Sequence, residues 1–147
     1  MNIKRIVILL TVLAAVSLAM ATQDKEHGGR PLTVVLTGAA EVPGRGDGDG
    51  TGKATVTLNH GQGQVCYELS VSNIGIATAA HIHRGATTEA GPVLVSLDAP
   101  SAEGSSKGCV NLDKDKIKDI MTNPGNYYIN VHNAEFKDGA IRGQLTK

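Results

Sequence analysis

The sequence has no tryptophan, one phenylalanine and three tyrosines in 147 residues. A folded core must therefore be assembled mostly from Val, Leu, Ile and Ala. Charge of either sign is also lacking in excess, with 14 basic and 14 acidic side chains, so nothing attracts nucleic acid or an anionic membrane surface. There is no CxxC pair, no Ser/His/Asp set at useful spacing and no phosphate-cradling glycine loop before a helix. Hydrolase and nucleotide enzymes thus have no support. After residue 18 no apolar run is long enough to span a bilayer.

What is present begins with a leader. Lys4 and Arg5 precede an apolar run from Ile6 to Leu18, and Ala19-Met20-Ala21 fits the small-x-small cleavage pattern of a secretory signal peptide. The expected organisation is a signal peptide over 1–21, a flexible leader over 22–31 and one domain over 32–147. The mature chain would be exported, periplasmic or secreted, with no membrane span after cleavage. Cys66 and Cys109 are the only cysteines, and in an exported protein an even pair is most simply a disulfide. Two separate thiols or metal ligands are the competing reading. Closing a loop of about forty residues stabilises by roughly 3–4 kcal/mol in the chain-entropy model.

The mature chain reads as short strands separated by turns, in keeping with its 18 glycines. Pro31 to Thr37 is rich in β-branched residues. Gly38 to Gly52 is a loop whose Asp47-Gly48-Asp49-Gly50 lacks the later glutamate of a calcium loop; its Arg45-Gly46-Asp47 reads as part of the same solvated segment. Ala54, Val56 and Leu58 alternate with Thr55, Thr57 and Asn59, and Val65, Tyr67, Leu69 and Val71 alternate with Cys66, Glu68 and Ser70. Further strands are expected around residues 76–84, 93–97, 107–112, 127–133 and 139–145. One helix is expected after the N-cap Asp113, with Ile117, Ile120 and Met121 at helical spacing and Asn123-Pro124-Gly125 as its stop. The fold class is all-β, an antiparallel Greek-key β-sandwich of about eight strands with one short helix.

Chemistry concentrates in Ala80-His81-Ile82-His83-Arg84-Gly85. In a strand His81 and His83 share a face, roughly 6.6 Å apart along the backbone. His132, in Tyr128-Ile129-Asn130-Val131-His132, lies in a similar setting. Three neutral imidazoles suit copper or zinc and leave a fourth position open. Glu135 would supply a carboxylate ligand or a hydrogen-bond acceptor, and Arg142 would steer an anion toward the ion. Tyr128 and Asn130 share the His132 face and would flank it on an accessible surface as a ligand platform; the competing reading has Tyr128 cover the sheet edge. The competing reading gives the histidines a structural role, hydrogen-bonding loop backbone, with Arg142 paired to Glu135 or Asp138.

Five words along the chain carry a resemblance. They are Leu36-Thr37-Gly38-Ala39-Ala40-Glu41-Val42-Pro43, Ala80-His81-Ile82-His83-Arg84-Gly85, Gly91-Pro92-Val93, the run from Asn123 to His132, and Gly139-Ala140-Ile141-Arg142-Gly143-Gln144-Leu145. In order and spacing this resembles the CHRD domain, named for chordin and also found as a stand-alone exported microbial protein. The resemblance implies an all-β extracellular module, in chordin part of a protein that binds secreted growth factors; the reading preferred here is a non-enzymatic module whose partner is an extracellular or periplasmic protein or a small ligand. A second, fainter likeness is to copper-zinc superoxide dismutase, which places a His-x-His strand, a late histidine and a C-terminal arginine at its copper. His81, His83, His132 and Arg142 are similar in order. The bridging histidine and the zinc loop of that enzyme have no clear equivalent here.

Overall fold

A computed structural model describes Gly29 and residues 31–147; the expected signal peptide and most of the leader lie outside the described residues. The eight strands are β1 (Pro31–Thr37), β2 (Thr51–Asn59), β3 (Gln64–Ser72), β4 (Ala77–Arg84), β5 (Val93–Leu97), β6 (Ser105–Asn111), β7 (Tyr127–Asn133) and β8 (Ile141–Gln144). The helix α1 (Lys114–Thr122) sits between β6 and β7.

The strands form one antiparallel sheet in the order β5-β4-β7-β8-β1-β2-β3-β6. It curls so that its two edges, β5 and β6, approach each other, and the Ser106 hydroxyl donates to the Asp98 carbonyl just beyond β5. The result is a nearly closed sandwich. Around it, β4, β5 and β6 follow in sequence, and β7 returns through α1 to lie beside β4, which is the Greek-key order.

Period-two patterning decides the faces. On β1 exposed and buried residues alternate, with Leu32, Val34 and Leu36 inward. Ala54, Val56 and Leu58 from β2, and Val65, Tyr67 and Leu69 from β3, continue the same layer, while Val71 is only half-buried. Ile82, Ile129, Val131 and Ile141 close it from the far side. Each fully buried aliphatic side chain stabilises by about 1.5–3 kcal/mol relative to exposure.

Asp113 caps α1, its carboxylate accepting from the Asp115 and Lys116 N–H groups. Ile117 and Ile120 are buried, but Met121 is 45% exposed, contrary to its expected place on the apolar face. Two inward positions suffice to seat so short a helix. Asn59 also departs from its expected outward position. It is buried at the end of β2, where its side chain accepts from Gln62 N–H and donates to the Gln62 side chain to close the hairpin.

The cysteine expectation holds. Cys66 and Cys109 face each other in the β3–β6 ladder and are joined as a disulfide across 43 residues.

Candidate metal centre

Register builds the site. In the β4–β7 ladder His81 lies opposite Asn130, His83 opposite Tyr128, and Ala79 opposite His132. In the β7–β8 ladder Asn130 lies opposite Arg142 and Tyr128 opposite Gln144. Since alternate residues share a face, two polar rows run across three strands, His81–Asn130–Arg142 and His83–Tyr128–Gln144. His132 completes the set one step along β7.

The three histidines meet. One ring nitrogen from each of His81, His83 and His132 can be chosen so that all lie within 4.8 Å of one another. Nδ1 of His81 is 3.0 Å from Nε2 of His132, and the His81 ring is edge-on to both others.

Backbone carbonyls fix two of the tautomers. Nδ1 of His83 donates to the Gly91 carbonyl at 2.8 Å, and Nδ1 of His132 donates to the Lys137 carbonyl at 2.9 Å. A carbonyl only accepts, so Nδ1 carries a proton in both rings, and in the neutral tautomer this selects it is Nε2 that presents the lone pair. Nε2 of His83 is buried and meets no hydrogen-bond partner. Burial pushes the pKa of His81 and His83 below the usual 6.5, with the neighbouring imidazoles adding to the effect. Both rings are therefore neutral at pH 7, the form that ligates metal.

The face around the histidines is not the accessible platform expected from strand alternation. Tyr128 is 3% exposed, Asn130 2% and Arg142 1%. The reason is the segment 85–91, which folds over the β4–β7–β8 face and is held there by the side chains beneath it. Arg142 donates to the carbonyls of Glu89 and Ala86 at 2.9 and 2.7 Å, and Gln144 donates to those of Gly85 and Gly125. Tyr128 Oη accepts from Gly91 N–H at 3.1 Å. A side chain at Gly91 would collide with the Arg84 carbonyl, so the return of this segment requires glycine there.

Arg142 thus differs from both of its expected roles. Its guanidinium carbon stands 3.4 Å from the centre of the Tyr128 ring, and its N–H groups go to carbonyls and Gln144 rather than to Glu135 or Asp138. Glu135 is exposed, its N–H donating to the Asn133 side chain, and it lies outside the histidine group.

Sequence reasoning missed Glu41. It is 8% exposed, with one carboxylate oxygen buried and without a hydrogen-bond partner. Burial raises its pKa to about 7, opposed mainly by the nearby Arg142 charge and by hydrogen bonds from Val42 N–H and the Asn130 side chain. Its only sequence signal was membership of the Leu36–Pro43 word.

A family model described as the CHRD domain matches residues 32–145. The chain belongs to the CHRD domain family. No curated protein and no solved structure matches it significantly. Of the five words that mark the CHRD resemblance, four converge at this site: Glu41, the His81–His83 strand, the Asn130–His132 strand and Arg142. The fifth contains Gly91, whose carbonyl orients His83.

Proposed function

We propose that this CHRD domain is an exported module that holds a divalent transition ion, copper or zinc, at His81, His83 and His132. The observation that carries the reading is the convergence of the three imidazoles, with two of them locked through Nδ1–H onto backbone carbonyls. Such anchoring is the usual companion of metal-ligating histidine, because it fixes the tautomer and aims the other nitrogen. Donor atoms on a tetrahedral ion with bonds near 2.0–2.1 Å stand about 3.3 Å apart, so small ring movements would bring this group into register. Both cysteines are tied up in the disulfide, leaving an imidazole set that suits Cu²⁺ or Zn²⁺ better than Cu⁺.

Export is supported by the leader pattern of residues 1–21, and the disulfide is compatible with an oxidising compartment. No described helix is long and apolar enough to cross a membrane.

A second reading has its own observation. The same ring contacts tie β4, β7 and two loops together, which favours a purely structural histidine cluster in a module that binds an extracellular protein or small ligand. Elemental analysis of the mature protein beside His83→Ala, followed by copper and zinc titration, separates the two. One equivalent of ion, lost in the variant, supports the metal site; no ion in either protein leaves the structural role.

A further inference from the structure

We infer that Asn133 is the positioning residue for His132 in the three-histidine centre, its side chain shaping the turn that presents the Lys137 carbonyl to the imidazole. This rests on the metal reading above and adds to it the element that aims the third ligand.

His132 depends on outside support more than the other two rings. The His83 ring is buried, stacked on Tyr128 and bonded to the Gly91 carbonyl. His81 lies within β4, paired to β5 on one side and β7 on the other. His132 is only half-buried and stands one residue from the end of β7. Its anchor, the Lys137 carbonyl 2.9 Å from Nδ1, comes from the connection between β7 and β8. The other ring nitrogen, Nε2, lies 3.0 Å from His81 Nδ1 and is aimed only as well as that carbonyl is placed.

Asn133 places it. Its Oδ1 accepts from the N–H groups of Glu135 at 3.0 Å and Phe136 at 2.6 Å. The Phe136 carbonyl in return accepts from Asn133 N–H at 3.4 Å and from Gly139 N–H at 3.2 Å. The turn is drawn back onto Asn133 on both sides of Phe136, and the next carbonyl along the chain, that of Lys137, meets the His132 ring.

The amide has one way to sit. Two N–H groups converge on the same atom, which must be the oxygen, and Nδ2 is left to donate to the Ile74 carbonyl. Ile74 belongs to the connection between β3 and β4, the strand that carries His81 and His83. Asn133 is 6% exposed, and its oxygen and nitrogen are both engaged, so it holds its place as an exposed loop side chain does not. One buried amide thus ties the turn that anchors His132 to the loop that leads into the other two ligands.

Three variants separate this role from a general loss of packing. Asn133→Ser and Asn133→Asp keep an oxygen that accepts from the N–H groups two and three residues on, Asn133→Ala keeps none, and all three lose the bond to Ile74. Zn²⁺ and Cu²⁺ affinities are measured by calorimetry against a competing chelator, beside urea unfolding of the metal-free proteins. Asn133→Ala is expected to bind about 10–100-fold more weakly than wild type. Asn133→Ser and Asn133→Asp are expected to stay within about threefold of wild type although their metal-free folds are destabilised too. Nitrogen-15 shifts of the His132 ring in the metal-free proteins give a readout without the ion: the proton on Nδ1 in wild type and in the Ser and Asp variants, and shared between the two nitrogens in Asn133→Ala. Wild-type affinity or an unchanged ring tautomer in Asn133→Ala, or Ser and Asp variants that lose as much affinity as Ala, overturns the inference while His83→Ala still reports on the three-histidine centre. Should Asn133→Ala fail to fold, a loss of about tenfold or more in both of the others overturns it. An absence of binding by the wild-type protein overturns both readings.

Discussion

His83 and Tyr128 are ladder partners on β4 and β7, and their rings stack with centroids 4.7 Å apart and planes 8° from parallel. Arg142 covers the other side of the same tyrosine, so a cation, a phenol and an imidazole form a three-layer stack under the segment 85–91. The stack fixes the His83 ring plane, while Gly91 fixes its tautomer.

Removing the middle layer should therefore be costly. Tyr128→Ala is expected to destabilise the domain by about 3–5 kcal/mol, as for other buried aromatics. Tyr128→Phe keeps the stack and loses the hydroxyl that accepts from Gly91 N–H, at about 1–2 kcal/mol. Urea unfolding of both variants checks the order; near-equal losses would mean that the hydroxyl, not the stack, matters.

The disulfide should be a large contributor to stability. Cys66 and Cys109 close a loop of 43 residues, for which the chain-entropy model gives about 4 kcal/mol. Reduction, or a double serine substitution, is expected to lower unfolding free energy by roughly 3–4 kcal/mol. Denaturant melts with and without reductant measure it, and an unchanged midpoint would contradict it.

Glu41 makes a pH prediction with a definite sign. Its folded pKa of about 7 lies above the ordinary 4.5, so the folded state holds a proton that the unfolded state has released. Below pH 4.5 both states are protonated and the burial carries no titration penalty; as pH rises from 4.5 to 7 stability is lost, and above 7 the loss is constant. Allowing for solvent screening, the loss is on the order of 2 kcal/mol. Glu41→Gln should thus gain by that amount relative to wild type between the two ends of the window. A difference that does not vary with pH would remove the buried-acid account. A carboxylate that weakens the empty fold at neutral pH is consistent with a role at the site.

The histidines predict the opposite direction. With His81 and His83 below the usual 6.5, protons compete with metal only on the acidic side of that value. Metal affinity is expected to be insensitive to the two rings above pH 6.5 and to fall as pH drops below it. Affinity measured across this range checks the prediction; a steep rise continuing well above neutrality would place the competing protons elsewhere.

Much of this architecture was legible in the chain because it rests on local periods. The alternation of Leu32, Val34 and Leu36, and of Val65, Tyr67 and Leu69, marks strand faces within a few residues, and Cys66 and Cys109 sit alike relative to their apolar neighbours. His81 and His83 share a face by strand geometry alone. What local period does not carry is cover. Tyr128, Asn130 and Arg142 occupy the outward face of their strands, and only the non-local return of residues 85–91 buries them. Glu41 lies in a loop with no period at all, and its importance appears only where β7 and β8 bring Asn130 and Arg142 beside it.

The most direct measurement is the metal stoichiometry of the purified mature domain, by elemental analysis and by Cu²⁺ and Zn²⁺ titration of the metal-stripped protein beside His83→Ala. The account predicts one tightly held divalent ion per chain in the wild type and a loss of binding in the variant with its fold retained. Wild-type protein that takes up no ion, or a His83→Ala variant that binds as well as wild type, would contradict it.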